Sequence, residues 1–484
     1  MAIEDQRSAR YPNLVSTGLK AEYLSYVDVL AQSVSVIAPS TVPAAVLGLI
    51  YASSGNGTWL SFLIGMTGLV IVSININEFA RRSSSAGSLY SFVVRGLGPS
   101  AGVLSGWAIL FGYILTGVST LCGFVATSHG LVGAVGLTIP DEVLASGAIA
   151  VAYILSAKDV KLSAKTMLAL EGIAIAAVLA LGVAVWKRFG FALDHEQLAL
   201  SSTTPGGILA GVVLVVFGFS GFESSTALGE EAKDPLRTIP RSIIQSVLIS
   251  GFIFVFMAYV VILGFRGQPE SLAKVENPLL LLSGEIGASW LGVIINIGIL
   301  LSFFSCTLAS INATARIVFS MARHTLVPEL LGAAHKETKT PRYALGLAAV
   351  LTLVLAISPW LSGVSPYESQ GYFGSLCSFG FLTAYIMISI SAPVYLRCIG
   401  QLKVRSIVFA ALGAGFMLIP FVGVIGIPGS ALFPPPDYPN NLLVWGFLAY
   451  MIVGTVWLVF IRKYYPETIV NVVIANGGAK TKTS

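Results

Sequence analysis

The sequence predicts an all-α integral membrane protein of twelve transmembrane helices, built as a five-plus-five inverted repeat with broken helices 1 and 6. Three observations lead there. Of 484 residues, 55% are hydrophobic and only 11% charged, and the mean hydropathy is +0.84, far from the averages of soluble chains. Apolar runs of about 20 residues recur from residue 28 to residue 461, each long enough to cross a hydrocarbon core roughly 30 Å thick. The first and sixth of these runs carry helix-breaking residues near the depth of the bilayer centre.

Residues 1–27 are polar and mixed in charge, with no early apolar core. No cleavable signal is expected there, and the first span serves as its own insertion signal. Spans at 28–51, 58–80, 101–130, 143–157 and 163–186 make the first repeat, 28–186. The second repeat, 206–397, holds spans at 206–229, 242–265, 289–322, 342–362 and 371–397. Two more, 404–427 and 441–461, fill 404–461 ahead of a tail at 462–484. The fourth span is the shortest. The proline-rich connection 426–441 is expected to be stiff, and the tail after Pro466 to be disordered.

Orientation follows from the basic residues. With twelve spans both ends lie on one side, and that side collects Arg81, Arg82, Arg95, Lys158, Lys161, Lys233, Arg237, Arg241, Arg323, Lys336, Lys339, Arg397, Lys403 and Arg462. The opposite loops keep Lys187, Arg188, Arg266 and Lys274. Such asymmetry makes the richer side cytoplasmic, and a plasma-membrane location is expected. The net charge of +5 is therefore a topology signal and points to no nucleic-acid partner.

Chemistry at reactive side chains finds little support. Cys122, Cys306, Cys377 and Cys398 lie far apart, within or at the edges of spans, and read as small packing residues. His129, His195, His324 and His335 show no triad or metal-ligand spacing, and neither a phosphate-binding nor a dinucleotide-type glycine loop occurs. No metal and no cofactor is implied. A membrane enzyme would need a nucleophile–base pair at membrane depth, and only isolated carboxylates occur there. A channel or a nutrient sensor on the same scaffold is a separate possibility, and a monomer and a homodimer are both compatible with the chain.

The sixth span, GGILAGVVLVVFGFSGFESSTALGEEAKDPLRTIPR (206–241), places Gly218, Ser220, Gly221, Glu223, Ser224 and Ser225 near the bilayer centre. Backbone unwinds inside a membrane only where protein or a water-filled cavity receives its freed polar groups. The first span carries Pro39 and Pro43 around Ser40 and Thr41, and proline removes a donor and disrupts the preceding turn. Spans one and six stand five apart. Interrupted helices at corresponding places of two halves point to a binding site between them.

Three segments carry a resemblance. FGFSGFESSTALGEEAKDPLRTIPR resembles a Phe-x-x-x-Gly-aromatic core followed by a Glu-Glu…Pro…Ile-Pro-Arg loop. EFARRSSSAGSLYSFVVRGLGPSAGVLSGW resembles an Ala-Gly-x-x-Tyr…Gly-Pro…Gly-Trp stretch, and NATARIVFSMARHTLVPELLGAAHKETKTPRYAL an Arg…Ala-Arg…Pro…Thr-Pro ending. Together they are similar to the amino acid–polyamine–organocation transporter superfamily over nearly the whole chain. The resemblance implies alternating access by a symporter or exchanger, with an amino acid or a related amine as substrate. Coupling stays open among proton symport, exchange and sodium symport, a proton being favoured over sodium.

A freed helix N-terminus suits a carboxylate, and freed carbonyls suit an ammonium group. The first role falls to Ala38, Ser40, Thr41 and Val42, the second to Phe217, Gly218 and Ser220, with Gly221 and Phe222 beside them. The resemblance places Phe217 at an aromatic position that closes over substrate. Where relatives have a Gly-Ser-Gly-like break, this chain has Ala38-Pro39-Ser40-Thr41, which weakens the carboxylate contacts and keeps a polyamine or other amine as an alternative.

An ionised carboxylate near the bilayer centre costs several kcal/mol, so Glu223 is expected to couple protons, to contact a cationic substrate or to lock the unwound segment. Glu171 lies ten residues after Lys161, hence about 15 Å deeper on span five, and is the second such acid. It relays protons or pairs with a polar neighbour. Ser302, Ser305, Thr307 and Ser310 on span eight are either sodium ligands or packing residues. Arg316 is read as an interfacial anchor or a gate element, and Glu230, Glu231, Asp234, Lys233, Arg237 and Arg241 as a gate network or a solvated loop.

Overall fold

The computed structural model describes residues 18–133, 136–275, 277–430 and 432–476. The expectations for residues 1–17 and for 477–484 at the end of the tail lie outside them. Nine stretches among the described residues are long and apolar enough to cross a membrane. The two interrupted runs and the 18-residue helix of the fourth span are not among the nine.

The first run is three pieces. Helix α1 (Tyr26–Ile37) opens on a capping box in which Ser25 and Asp28 satisfy each other's backbone N–H. It stops because Ala38 turns left-handed (φ 50°) and Pro39 has no N–H to continue the ladder. Helices α2 (Thr41–Ala45) and α3 (Leu47–Ser54) resume it. Then follow α4 (Thr58–Ala80), α5 (Ser88–Leu97), α6 (Pro99–Gly133), α7 (Asp141–Lys158), α8 (Val160–Arg188) and the single turn α9 (His195–Leu198).

Helix α10 (Pro205–Gly218) starts on a Thr204 cap with proline in its first turn. It gives way at Phe219 to turns and a 3₁₀ segment, Ser224–Leu228. The rest of the chain is α11 (Pro235–Gly264), α12 (Pro278–Glu285), α13 (Ser289–Arg323), α14 (Arg342–Trp360), α15 (Pro366–Cys398), α16 (Val404–Ile425), α17 (Leu443–Tyr464) and α18 (Pro466–Ala475). Both sequence-predicted interruptions are thus present, at 38–40 and 219–223.

Helix α6 is central, with 72% of its most apolar window buried, whereas α17 has 17%. Helix α17 leans on α6 through stacked Trp107 and Tyr450, each donating to the other's backbone carbonyl at 3.0 Å. Gly454 makes the approach possible, since a Cβ there would meet the Trp107 ring at 2.4 Å.

Two expectations need correction. The tail is not disordered from Pro466: α18 forms at once, buries Thr468 and Val472, and Asn471 donates to Thr325 at 3.3 Å. Proline at its first position is preorganised for that start. The connection between the second and third spans is also more than a loop. It contains α5, whose Ser88–Val94 stretch is wholly buried.

Contacts between connections define two ends. At one, Lys20 and Tyr23 meet Asp159, Arg82 meets Gln401, and Leu24 bridges Ala232. At the other, Arg266 binds Asp194 (3.0 Å), Glu196 (2.8 Å) and Asn56 (2.6 Å). The connections assigned to each side by charge therefore meet one another in space.

Burial works to raise the Asp194 carboxyl. Hydrogen bonds from Gln197 and Arg266, with the Arg266 charge, outweigh it and hold the group below its ordinary value of 3.8. A depressed folded-state value adds stability above the unfolded value that disappears as pH falls through the folded one. The thermal midpoint of wild type should exceed that of Asp194→Asn at pH 6. Melting curves from pH 7 downward should show the gap narrowing as pH falls below 3.8 and through the depressed folded-state value; a gap that does not change with pH refutes the linkage.

Candidate functional site

The two interruptions lie against each other. Ser224 donates to the carbonyl of Gln32 (3.2 Å), and Ser33 receives the Ser225 N–H (3.0 Å), so α1 and the Ser224–Leu228 segment run together. Helix α13 closes a third side. Gln32 donates to Ala309 O (2.8 Å), and the Cys306 thiol donates to Val36 O (3.1 Å), a carbonyl freed where α1 ends.

Between the breaks lies a cavity of about 80 Å³. Of the residues expected to bind, Ala38, Thr41, Val42, Phe217, Gly218 and Ser220 line it. Three others do not. Ser40 turns to Glu171, Gly221 gives its N–H to Tyr385 (3.0 Å), and Phe222 is fully buried beside the Tyr385 ring at 5.1 Å. Gly221 adopts φ +85°, and a Cβ there would stand 2.2 Å from Val36, so both backbone and space require glycine. Thr41 is partly committed, because its N–H and hydroxyl both serve Ala38 O, at 3.0 and 2.8 Å.

Other walls went unread in the sequence. Thr116, Ser119 and Thr120 come from α6, Phe303 and Cys306 from α13, and Gln370, Gly374 and Cys377 from α15. The spacing of Thr116, Ser119 and Thr120 puts three hydroxyls on one face of an apolar helix, a signal available in the sequence. Cys306, Cys377 and Cys122 are buried, but Cys398 is exposed at the end of α15, so the packing reading fails there. Among the described residues no Asp, Glu, Lys or Arg lines the cavity.

The two deep carboxylates flank the cavity without entering it. Glu223 is fully buried. Tyr113 donates to one of its oxygens at 2.7 Å, and Tyr385 donates to the other. Glu171 receives Ser302 at 2.7 Å and Ser40 at 3.3 Å, which ties α8, α13 and the first break together. No salt bridge reaches either acid among the described residues, so neutral hydroxyls and backbone N–H groups satisfy them. Of the other hydroxyls on span eight, Ser305 bonds Met167 O (3.4 Å) and Thr307 meets Thr120 (2.9 Å).

Toward the basic end, a buried ion pair joins two elements. Arg316, 1% exposed, grips Glu231 at 2.6 and 3.3 Å and donates to Asn312 O at 3.0 Å. The interfacial-anchor reading of Arg316 is therefore replaced by a buried cross-link between α13 and the loop beyond the second break. Glu231 also takes the N–H groups of Tyr23 and Leu24 on its carbonyl, at 2.8 and 2.9 Å. Asp234 and Arg237 instead form a long, exposed pair at 3.7 Å, so the charged loop is part lock and part solvated. His324, at the end of α13, is buried with Nδ1 2.7 Å from the Tyr90 hydroxyl.

The sequence profile of the family described as Amino acid permease matches residues 28–468. The branched-chain amino acid permease BcaP of Bacillus subtilis is 24% identical over 71% of this chain and 74% of its own. The methylthioribose transporter of the same organism is 24% identical over 85% and 88%. The low-affinity putrescine importer PlaP of Escherichia coli is 25% identical over 76% and 79%.

Proposed function

The chain belongs to the amino acid permease family, and we propose that it is a secondary active transporter moving a small amino acid across the plasma membrane by alternating access. In this reading twelve spans form the five-plus-five repeat, with both termini cytoplasmic and substrate held between the breaks of spans one and six. The observation that carries it is the cavity bounded by Ala38, Thr41 and Val42 on one side and Phe217, Gly218 and Ser220 on the other.

The size and charge of that cavity favour a small zwitterion. A volume of about 80 Å³ accommodates only about five to eight water-sized groups. The ammonium end would meet carbonyls near Phe217 and Gly218, and the carboxylate the first turn of α2, where the dipole is favourable. Ser40 already serves Glu171, Thr41 serves Ala38 O, and Pro43 has no N–H, so Val42 N–H carries more of that contact. The Gln370 amide is a further donor in the wall. A diamine would want a carboxylate, and Glu223 is held away on Tyr113 and Tyr385. Two deep acids satisfied only by neutral donors favour a proton over sodium as the coupling ion.

The test is uptake of labelled amino acids and polyamines into proteoliposomes under imposed pH or sodium gradients. Small neutral amino acids should accumulate with an inward proton gradient, and putrescine should not compete. Accumulation that follows sodium alone, or uptake of putrescine in preference to amino acids, refutes the assignment.

A further inference from the structure

At the basic end of the bundle, helices α4 and α11 part to form a cleft of about 340 Å³ that holds three arginines and, among the described residues, no carboxylate. Arg81 ends α4, and Arg237 and Arg241 lie in the first two turns of α11. The cleft is preformed, because buried Asn77 donates to Pro240 O at 3.0 Å and ties the two helices together beside it. Among the described residues no hydrogen bond or ion pair engages the side chain of Arg81 or Arg241, and Arg237 meets only exposed Asp234 at 3.7 Å. Gln245, also in the wall, accepts from Tyr26 through its carbonyl oxygen.

What lies below the arginines decides what the cleft can hold. On α11 the exposed positions are Arg237, Arg241, Gln245, Ile249 and Phe252, spaced four, four, four and three apart on one face. Ile249 is 39% exposed and Phe252 63%. Eleven residues separate Arg241 from Phe252, about 16 Å of helix, close to half of the roughly 30 Å hydrocarbon core. The surface is thus cationic at the headgroup level and apolar for one leaflet beneath it.

We propose that this cleft between α4 and α11 binds the phosphate headgroup of an anionic phospholipid, with its acyl chains along Ile249 and Phe252. Guanidinium groups match phosphate oxygens by paired N–H donors, and basic pockets between transmembrane helices attract anionic headgroups. A soluble phosphate compound offers the same charge but nothing to cover the apolar stripe.

The test uses the full-length protein in neutral detergent, titrated with phosphatidylglycerol, phosphatidylcholine of the same chains, or glycerophosphate. Binding is followed by native mass spectrometry and by the thermal midpoint. Phosphatidylglycerol should bind and raise the midpoint, while the other two leave it unchanged. Arg81→Gln with Arg241→Gln should weaken that binding about 30-fold, as expected for two headgroup-level charges. Lys403→Gln with Arg405→Gln, in the neighbouring basic cleft, should change it less than about twofold. Should the double variant fail to fold, Arg241→Gln alone should cost about fivefold, and Arg241→Lys less. Equal binding of phosphatidylcholine, a full shift with glycerophosphate, or unchanged affinity in the arginine variants overturns the proposal.

Discussion

Arg316→Ala should destabilise the protein by about 3–5 kcal/mol, because it leaves the Glu231 carboxylate buried with no cation. Both side chains are 1–2% exposed, and the guanidinium reaches both carboxylate oxygens, at 2.6 and 3.3 Å. Lysine restores the charge without the fork, so Arg316→Lys should fall between wild type and alanine. An apolar pair, Arg316→Met with Glu231→Leu, removes both charges and should recover much of the stability lost by either single change. Thermal unfolding in detergent of wild type, Arg316→Met, Glu231→Leu and the double variant closes the cycle. Transport then separates fold from gate. If the pair holds the basic end shut, the double variant is stable yet leaks substrate down its gradient. A stable double variant that accumulates substrate like wild type assigns the pair to folding alone.

The coarse architecture was legible because lipid imposes length and apolarity on each span, and both quantities are local. The two breaks were legible for a similar reason: Pro39 and the Gly218–Gly221 region announce interrupted ladders without reference to anything distant. Helix α5 was not. Its polar approach, RRSSSAGS, reads as a loop, and only its packing against α6 and α15 makes Leu89, Tyr90, Phe92 and Val93 core residues. Helix α18 was hidden likewise behind a short, mixed tail.

In the site, half of each contact was readable. The deep acids Glu171 and Glu223 declared themselves by depth, but their partners lie 131, 110 and 162 residues away, beyond any local pattern. Arg316 shows the same limit. One arginine near a span's end looks like a snorkelling anchor until Glu231, 85 residues earlier, is found against it.

Glu223→Gln should abolish gradient-driven accumulation while leaving the fold intact. Glutamine matches the shape, and its amide still finds the Tyr113 and Tyr385 hydroxyls that hold the carboxylate now. What it cannot do is bind and release a proton. An inward gradient of one pH unit supplies about 1.4 kcal/mol per proton, enough for roughly tenfold accumulation at one proton per substrate. In the variant the internal concentration should rise only to the external one. Exchange of labelled for unlabelled substrate needs binding and reorientation but no net proton movement, so it should survive. The lock reading predicts otherwise. If Glu223 serves to hold Gly221 and Tyr385 in the unwound conformation, losing charge-assisted bonds costs about 1.5–3 kcal/mol each. Exchange, accumulation and thermal midpoint then fall together, and Tyr385→Phe, which removes a donor to Glu223 and the acceptor of the Gly221 N–H, reproduces the defect. Loss of accumulation with exchange preserved assigns Glu223 to coupling; loss of both with a lowered midpoint assigns it to the architecture of the break.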